Sequence, residues 1–225
     1  MTHALAIDTT SDYLSLAVLK GERPAGSRYL PCGVKATQIV IQEIDGLLTG
    51  AGLTAHDLEL IVVAVGPGSF TGTRIGMAAA ATFGQVLARP VIGVDTLQLL
   101  AAQTEPAADV TFHALLNCAR DEVYHAAYRW NGVPVALGPI AMTTFGELHR
   151  VVGEAPVVAR RFDPAPANGE DPLSRFDPMP LRRPHPDAEL LLELGLARYR
   201  EHPAGPFPLP QPIYLKSEAF RKWRR

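Results

Sequence analysis

The chain has 225 residues, of which 47% are apolar and 20% charged, with a formal net charge of −2. That is room for one large or two small domains with a packed core, and the charge balance excludes a basic nucleic-acid-binding domain. The two cysteines, Cys32 and Cys118, are far apart and outside any CxxC spacing, which argues against a disulfide scaffold or a zinc site and fits a reducing compartment.

The N-terminus has no basic stretch followed by a long apolar one, so no signal peptide is expected. The longest apolar-rich run, 75–88, is shorter than the roughly 20 residues of a membrane span. A cytoplasmic chain without membrane contact is therefore expected.

Ala4–Asp8 is a short apolar run, 9–12 are turn formers, and 13–19 is apolar and alternating, which together predict a β-hairpin. A third strand is expected near 26–30. From Thr37 the period changes, with Ile39, Ile41, Ile44, Leu47 and Leu48 at helical spacing up to Gly50 and Gly52. The continuous β-branched run 60–65 reads as a strand buried on both faces. A Gly-rich turn, a helix over about 72–88, the strand 91–94 and a helix capped by Asp95 or Thr96 complete an α/β domain with a mixed sheet.

Glu105-Pro106 marks a hinge. Beyond it, 110–116 and 123–130 predict a second hairpin, 145–152 a short helix and 187–199 an amphipathic helix carrying Leu190, Leu191, Leu194 and Leu196. Between them, 160–186 is punctuated by proline and reads as an irregular loop. A Pro-rich linker and a basic terminal helix with Arg221, Lys222, Arg224 and Arg225 close the chain.

Three segments carry candidate chemistry. In 65–74, Gly66, Gly68, Ser69, Thr71 and Gly72 join a buried strand to a helix. Such a turn aims backbone N–H groups and a positive helix end at an anion, with Arg74 as charge partner; the alternative is tight packing beside the first hairpin. The GxxxxGK[ST] pattern is absent, which excludes a P-loop. Asp8, Thr9 and Thr10 form a turn that would face a nucleotide phosphate and magnesium, or is simply a capped turn.

In the helix after the Gly-rich turn, Gly76, Ala80 and Gly84 recur every fourth residue. The stripe would admit a partner helix closely, or pack on the chain's own sheet. The seven histidines form no HExxH or HxxxH pair, and Ser69 lies in no G-x-S-x-G elbow, so hydrolase chemistry has no visible centre.

Ala6-Ile7-Asp8-Thr9-Thr10, the block from Gly66 to Gly76, Pro90–Val94, Arg120–Tyr124 and Pro212–Lys216 together resemble the TsaB family over most of the chain, the loop 160–186 excepted. The resemblance implies an α/β fold of the actin, sugar-kinase and Hsp70 type, a duplicated ribonuclease H-like architecture in two lobes. The N-terminal lobe would comprise 1–105 plus 211–225, and 106–210 the smaller C-terminal lobe.

It also implies a non-catalytic subunit that partners a TsaD-type catalytic subunit and a TsaE-type ATPase in making N6-threonylcarbamoyladenosine in tRNA. The chain would meet tRNA only through that complex. TsaD-type catalysis uses a metal on paired histidines, which this chain lacks; no metal and no cofactor of its own are expected, with ATP or ADP at most at a complex interface.

The partner face, which would also serve a homodimer, is expected on the first two helices through Gln38, Ile41, Asp45, Arg74, Gly76, Met77, Ala80 and Gly84. Where relatives often read Asp-Ala-Arg-x-Gly this chain has Asn117-Cys118-Ala119-Arg120-Asp121. Asp8, Thr9, Thr10 and the Gly66–Gly72 turn are accordingly expected to be a degenerate nucleotide site. The rival reading is an independent phosphotransferase acting through Asp8 and the Gly-rich turn. A metallopeptidase reading fails for want of metal ligands.

Overall fold

The computed structural model describes residues 2–21, 23–32, 35–118, 121–159, 176, 178–182, 185–202 and 205–215. The basic tail from Lys216 and most of the loop 160–186 lie outside the described residues.

The chain divides into two units, 1–99 with 186–213, and 100–185 with the residues from 214 on. The first is built on a five-stranded sheet of order β3-β2-β1-β4-β5. Strands β1 (Ala4–Asp8), β2 (Tyr13–Lys20) and β3 (Arg23–Pro31) form an antiparallel meander. β4 (Leu60–Ala64) and β5 (Val91–Val94) add in parallel. The parallel strands need crossover helices. These are α1 (Ala36–Gly50), with the short 3-10 turn Ala55–Asp57 after it, and α2 (Phe70–Leu87).

Alternation along each strand divides the core in two. Leu5, Ile7, Leu14, Leu16, Ile61 and Val63 pack on one face with Val40, Ile44, Leu47 and Leu48 of α1 and Ala79 and Ala80 of α2. On the other face Ala4, Ala6, Leu60, Val62 and Ala64 receive Ala188, Leu191, Leu192 and Leu196 of α5 (Ala188–Glu201). The expected boundary is corrected here: the helix assigned to the C-terminal lobe covers the first sheet.

Its amphipathic stripe needed an apolar surface, and Ala4 and Ala6 of β1 with Leu60, Val62 and Ala64 of β4 provide one. Gly195 of α5 lies against Val62. The buried Ser15 hydroxyl donates to Pro186 O and accepts from Ala188 N, both at 3.1 Å. Beyond α5, Ile213 N donates to Val65 O at 2.8 Å, returning the chain to the end of β4.

α3 (Thr96–Ala101) leads into the second unit, with the Asp95 carboxylate accepting from Gln98 N at 2.7 Å. There β6 (Thr111–Asn117) and β7 (Glu122–Trp130) pair antiparallel, and β10 (Val157–Ala159) lies parallel to β6. β8 (Pro134–Ala136) and β9 (Ala141–Thr144) both pair with β7. A hairpin whose first strand takes a parallel neighbour thus occurs in both units, as a duplicated fold requires. α4 (Phe145–Val152) packs Leu148 and Val152 on Leu115, Val123, Val157 and Ala159. The strands β8, β9 and β10, three or four residues each, were not expected from the sequence.

Candidate functional site

The β1–β2 turn and the start of α2 interlock. Asp8 is 1% exposed, and its Oδ1 accepts from Thr10 N at 2.8 Å and Thr10 Oγ1 at 2.7 Å. Thr9 Oγ1 donates to Gly72 O at 2.6 Å, and Ser69 N donates to Thr10 O at 2.7 Å. Ser69 caps α2, its Oγ accepting from Gly72 N at 3.1 Å. Gly66 has φ +90°, a left-handed conformation that favours glycine, and its carbonyl accepts from Thr96 N at 2.8 Å.

The close approach for which glycine is needed is made by the chain itself. A Cβ on Gly72 would overlap Thr9 O, and one on Gly68 would overlap Thr10 O. So the residues expected to form a degenerate nucleotide site do come together: Asp8, Thr9, Thr10, Gly66, Gly68, Ser69 and Gly72. Ser69 N and Gly72 N, two of the amides an anion would need, are spent on Thr10 O and Ser69 Oγ. The carbonyls of Thr9 and Thr10 fill the space against Gly72 and Gly68, and Thr71 is exposed. The packing alternative accounts for this block.

The residues expected at a partner face divide into two groups. Gln38, Ile41 and Asp45 of α1 are exposed, as is Arg74 of α2, and Met77 is half-buried. Gly76, Ala80 and Gly84 are buried, and this is a correction. A Cβ on Gly76 would overlap Thr9 Oγ1, one on Gly84 would overlap a methyl of Val91, and Ala80 is fully buried. The small-residue stripe lets α2 sit closely on its own sheet. A bulky substitution at Ala80 would overpack this chain's core, so it cannot probe a partner surface.

Among the side chains that α1 and α2 leave in solvent are three large apolar ones, two of which the sequence reading missed: Ile41 is 53% exposed, Phe70 55% and Val86 74%. Phe70 carries the Arg74 guanidinium over its ring, 3.8 Å from the centroid, worth about 0.5–1 kcal/mol at an exposed site. The sequence reading placed Ile41 in the apolar stripe of this helix as well as on the partner face; the structure leaves it outside the buried set Ala36, Val40, Ile44, Leu47 and Leu48.

No helix among the described residues is long and apolar enough to cross a membrane. A family model described as TsaD, tRNA N6-adenosine threonylcarbamoyltransferase, matches residues 35–160. An uncharacterised protein of Mycobacterium tuberculosis is 33% identical over 165 residues, 72% of this chain and 68% of that protein. The tRNA threonylcarbamoyladenosine biosynthesis protein TsaB of Bacillus subtilis is 34% identical over 131 residues, 57% of this chain and 56% of its own length.

Among solved structures, YeaZ of Pseudomonas aeruginosa superposes with a TM-score of 0.72 at 25% identity, over 96% of this chain and all of that one. The fold is that of the actin and sugar-kinase type, with its hairpin-led sheet present in each unit. Sequence motifs, family model and superposition agree, and the chain belongs to the TsaB family.

Proposed function

We propose that this chain is a non-catalytic subunit in the biosynthesis of threonylcarbamoyladenosine in tRNA, docking a TsaD-type catalytic subunit through the exposed face of α1 and α2. The observation that carries this reading is the large apolar side chains these helices leave in solvent: Ile41 on α1, and on α2 Phe70, stacked with the Arg74 guanidinium near the N-terminal end, and Val86 near the other end. Aromatic and arginine side chains in such a setting are the residue types that dominate binding energy. The relative named as a TsaB biosynthesis protein and the match to a TsaD model support the pathway.

In this reading the chain works in the cytoplasm, meets a TsaE-type ATPase and tRNA only through the complex, and pairs with a second copy through the same face when alone. ATP or ADP binds at most at the complex interface. The packed turn supports the absence of an independent phosphotransferase site, since Asp8 Oδ1 and the start of α2 are bonded to Thr10, Thr9 and Ser69.

The test is size-exclusion chromatography with light scattering on the chain mixed with a TsaD-type subunit. Ile41→Glu, Phe70→Glu and Val86→Glu should each weaken the heteromeric species while Val133→Glu, an exposed control in the second unit, leaves it intact. Undiminished complex with all three α1–α2 variants would overturn the assignment of the face. ATP titration of the isolated chain tests the absent phosphotransferase site separately.

A further inference from the structure

The register of β6 and β7 sets His113 opposite Ala127 and His125 opposite Leu115, which makes the two histidines diagonal neighbours on one face of the second sheet. Their ring centroids are 6.2 Å apart, with the planes 35° from parallel. Both are half-buried, and the Nδ1 of His113 is buried without a hydrogen-bond partner. The titratable and charged side chains of the elements around this face are Arg129 of β7, Glu147, His149 and Arg150 of α4, and Glu154 ahead of β10. All of them are exposed; β8, β9 and β10 contribute none, and Glu122 and Tyr124 alternate onto the opposite face of β7. Among the described residues no carboxylate forms an ion pair with either imidazole.

We propose that this pair is an acid-sensitive lock on the second unit: neutral, the two rings pack together across β6 and β7; protonated, they repel and open that strand pair. Charging His113 places an N–H on the buried Nδ1, where nothing accepts it, so the ion loses water without gaining a partner. A second charge on His125 then stands beside the first, across two rings only 6.2 Å apart and with no anion between them. Each strand carries one of the two charges, so the repulsion acts directly on the β6–β7 pairing.

Burial depresses both imidazoles below the usual histidine range, and at His125 the neighbouring His113 adds to it. The unfolded chain, with its imidazoles near the ordinary value of 6.5, therefore takes up protons before the folded one does. The stability that the neutral pair allows is complete above that value and is lost as pH falls from there through the folded values. Carboxylates titrate lower and lysines higher, so a response that begins there belongs to histidine.

The test is thermal unfolding of the tag-free full chain between about pH 7.5 and about pH 5, beside His113→Gln and His125→Gln, which carry no titrating ring. The expected result is a fall in Tm on acidification that is smaller in each of these variants and undiminished in His149→Gln, whose ring is exposed. Curves that fall in parallel for the unsubstituted chain, His113→Gln and His125→Gln overturn the proposal. Should those variants fail to fold, the imidazole proton resonances of the unsubstituted chain decide. Midpoints for His113 and His125 below that of His149 support the lock, and midpoints at or above it overturn it. Amide exchange reads the opening itself: protection of the β6 and β7 amides should drop with acid, and unchanged protection overturns it.

Discussion

Glycine-to-alanine substitution should have opposite signs at Gly72 and Gly46, two positions inside helices of this chain. At Gly46 on α1 an added Cβ meets nothing within 4 Å. The change removes unfolded-state freedom and raises helix propensity, a gain of about 0.5–1 kcal/mol. At Gly72 the same methyl overlaps Thr9 O and comes within 3.1 Å of Ser69 Oγ.

Relief requires α2 to move away from the β1–β2 turn, at an overpacking cost of about 1–3 kcal/mol. The movement also strains the Thr9 Oγ1–Gly72 O bond of 2.6 Å and the Ser69 cap of 3.1 Å, together worth about 2 kcal/mol. Against these stands the same propensity gain of about 1 kcal/mol, which leaves Gly72→Ala destabilised by roughly 2–4 kcal/mol. For a chain of this size that lowers Tm by roughly 4–16 °C, while Gly46→Ala raises it by about 1–4 °C. Thermal unfolding followed by circular dichroism reads both. A Gly72→Ala chain as stable as the unsubstituted one would refute the conclusion that the glycine is there for the Thr9 carbonyl.

Three further outcomes are expected. Ser15→Ala strands Pro186 O and Ala188 N and should cost about 1–3 kcal/mol in urea unfolding; an unchanged midpoint would show that this hydroxyl does not hold α5. Gly195→Ala drives a methyl into Val62, so it should destabilise the chain by itself but be neutral or better in a Val62→Ala background, and simple additivity in that cycle would count against the contact. The Asp57 carboxylate accepts from Thr54 N at 2.7 Å and Thr54 Oγ1 at 2.8 Å, and these bonds, the backbone one foremost, hold it below its ordinary value. A depressed carboxylate stabilises above its unfolded pKa and loses that contribution as pH falls through the folded one. The gap in Tm between the unsubstituted chain and Asp57→Asn should therefore narrow on acidification, and parallel curves would refute the cap.

Much of the fold was legible because its signals are local. The apolar run Ala4–Asp8, the β-branched run beginning at Leu60 and the helical period from Ile39 to Leu48 each reflect an element whose own side chains decide its burial. The Gly-rich block was legible as a motif but ambiguous in meaning. Glycine spacing states that something approaches the backbone closely, and it is silent on whether that is a phosphate, a partner helix or the chain's own turn.

Sequence alone determined the order of the first unit's strands and α-helices, the family and the absence of the P-loop and HExxH patterns, since these rest on residue type and short spacing. Tertiary structure decided what long-range pairing sets. It turned Gly76, Ala80 and Gly84 inward onto Thr9 and Val91, and it left Ile41, Phe70 and Val86 outside. It brought α5 back to the first sheet and made neighbours of His113 and His125. A helix or strand fixes which residues share a face by its own period, but which surface that face meets depends on the register and packing of segments far apart in the chain.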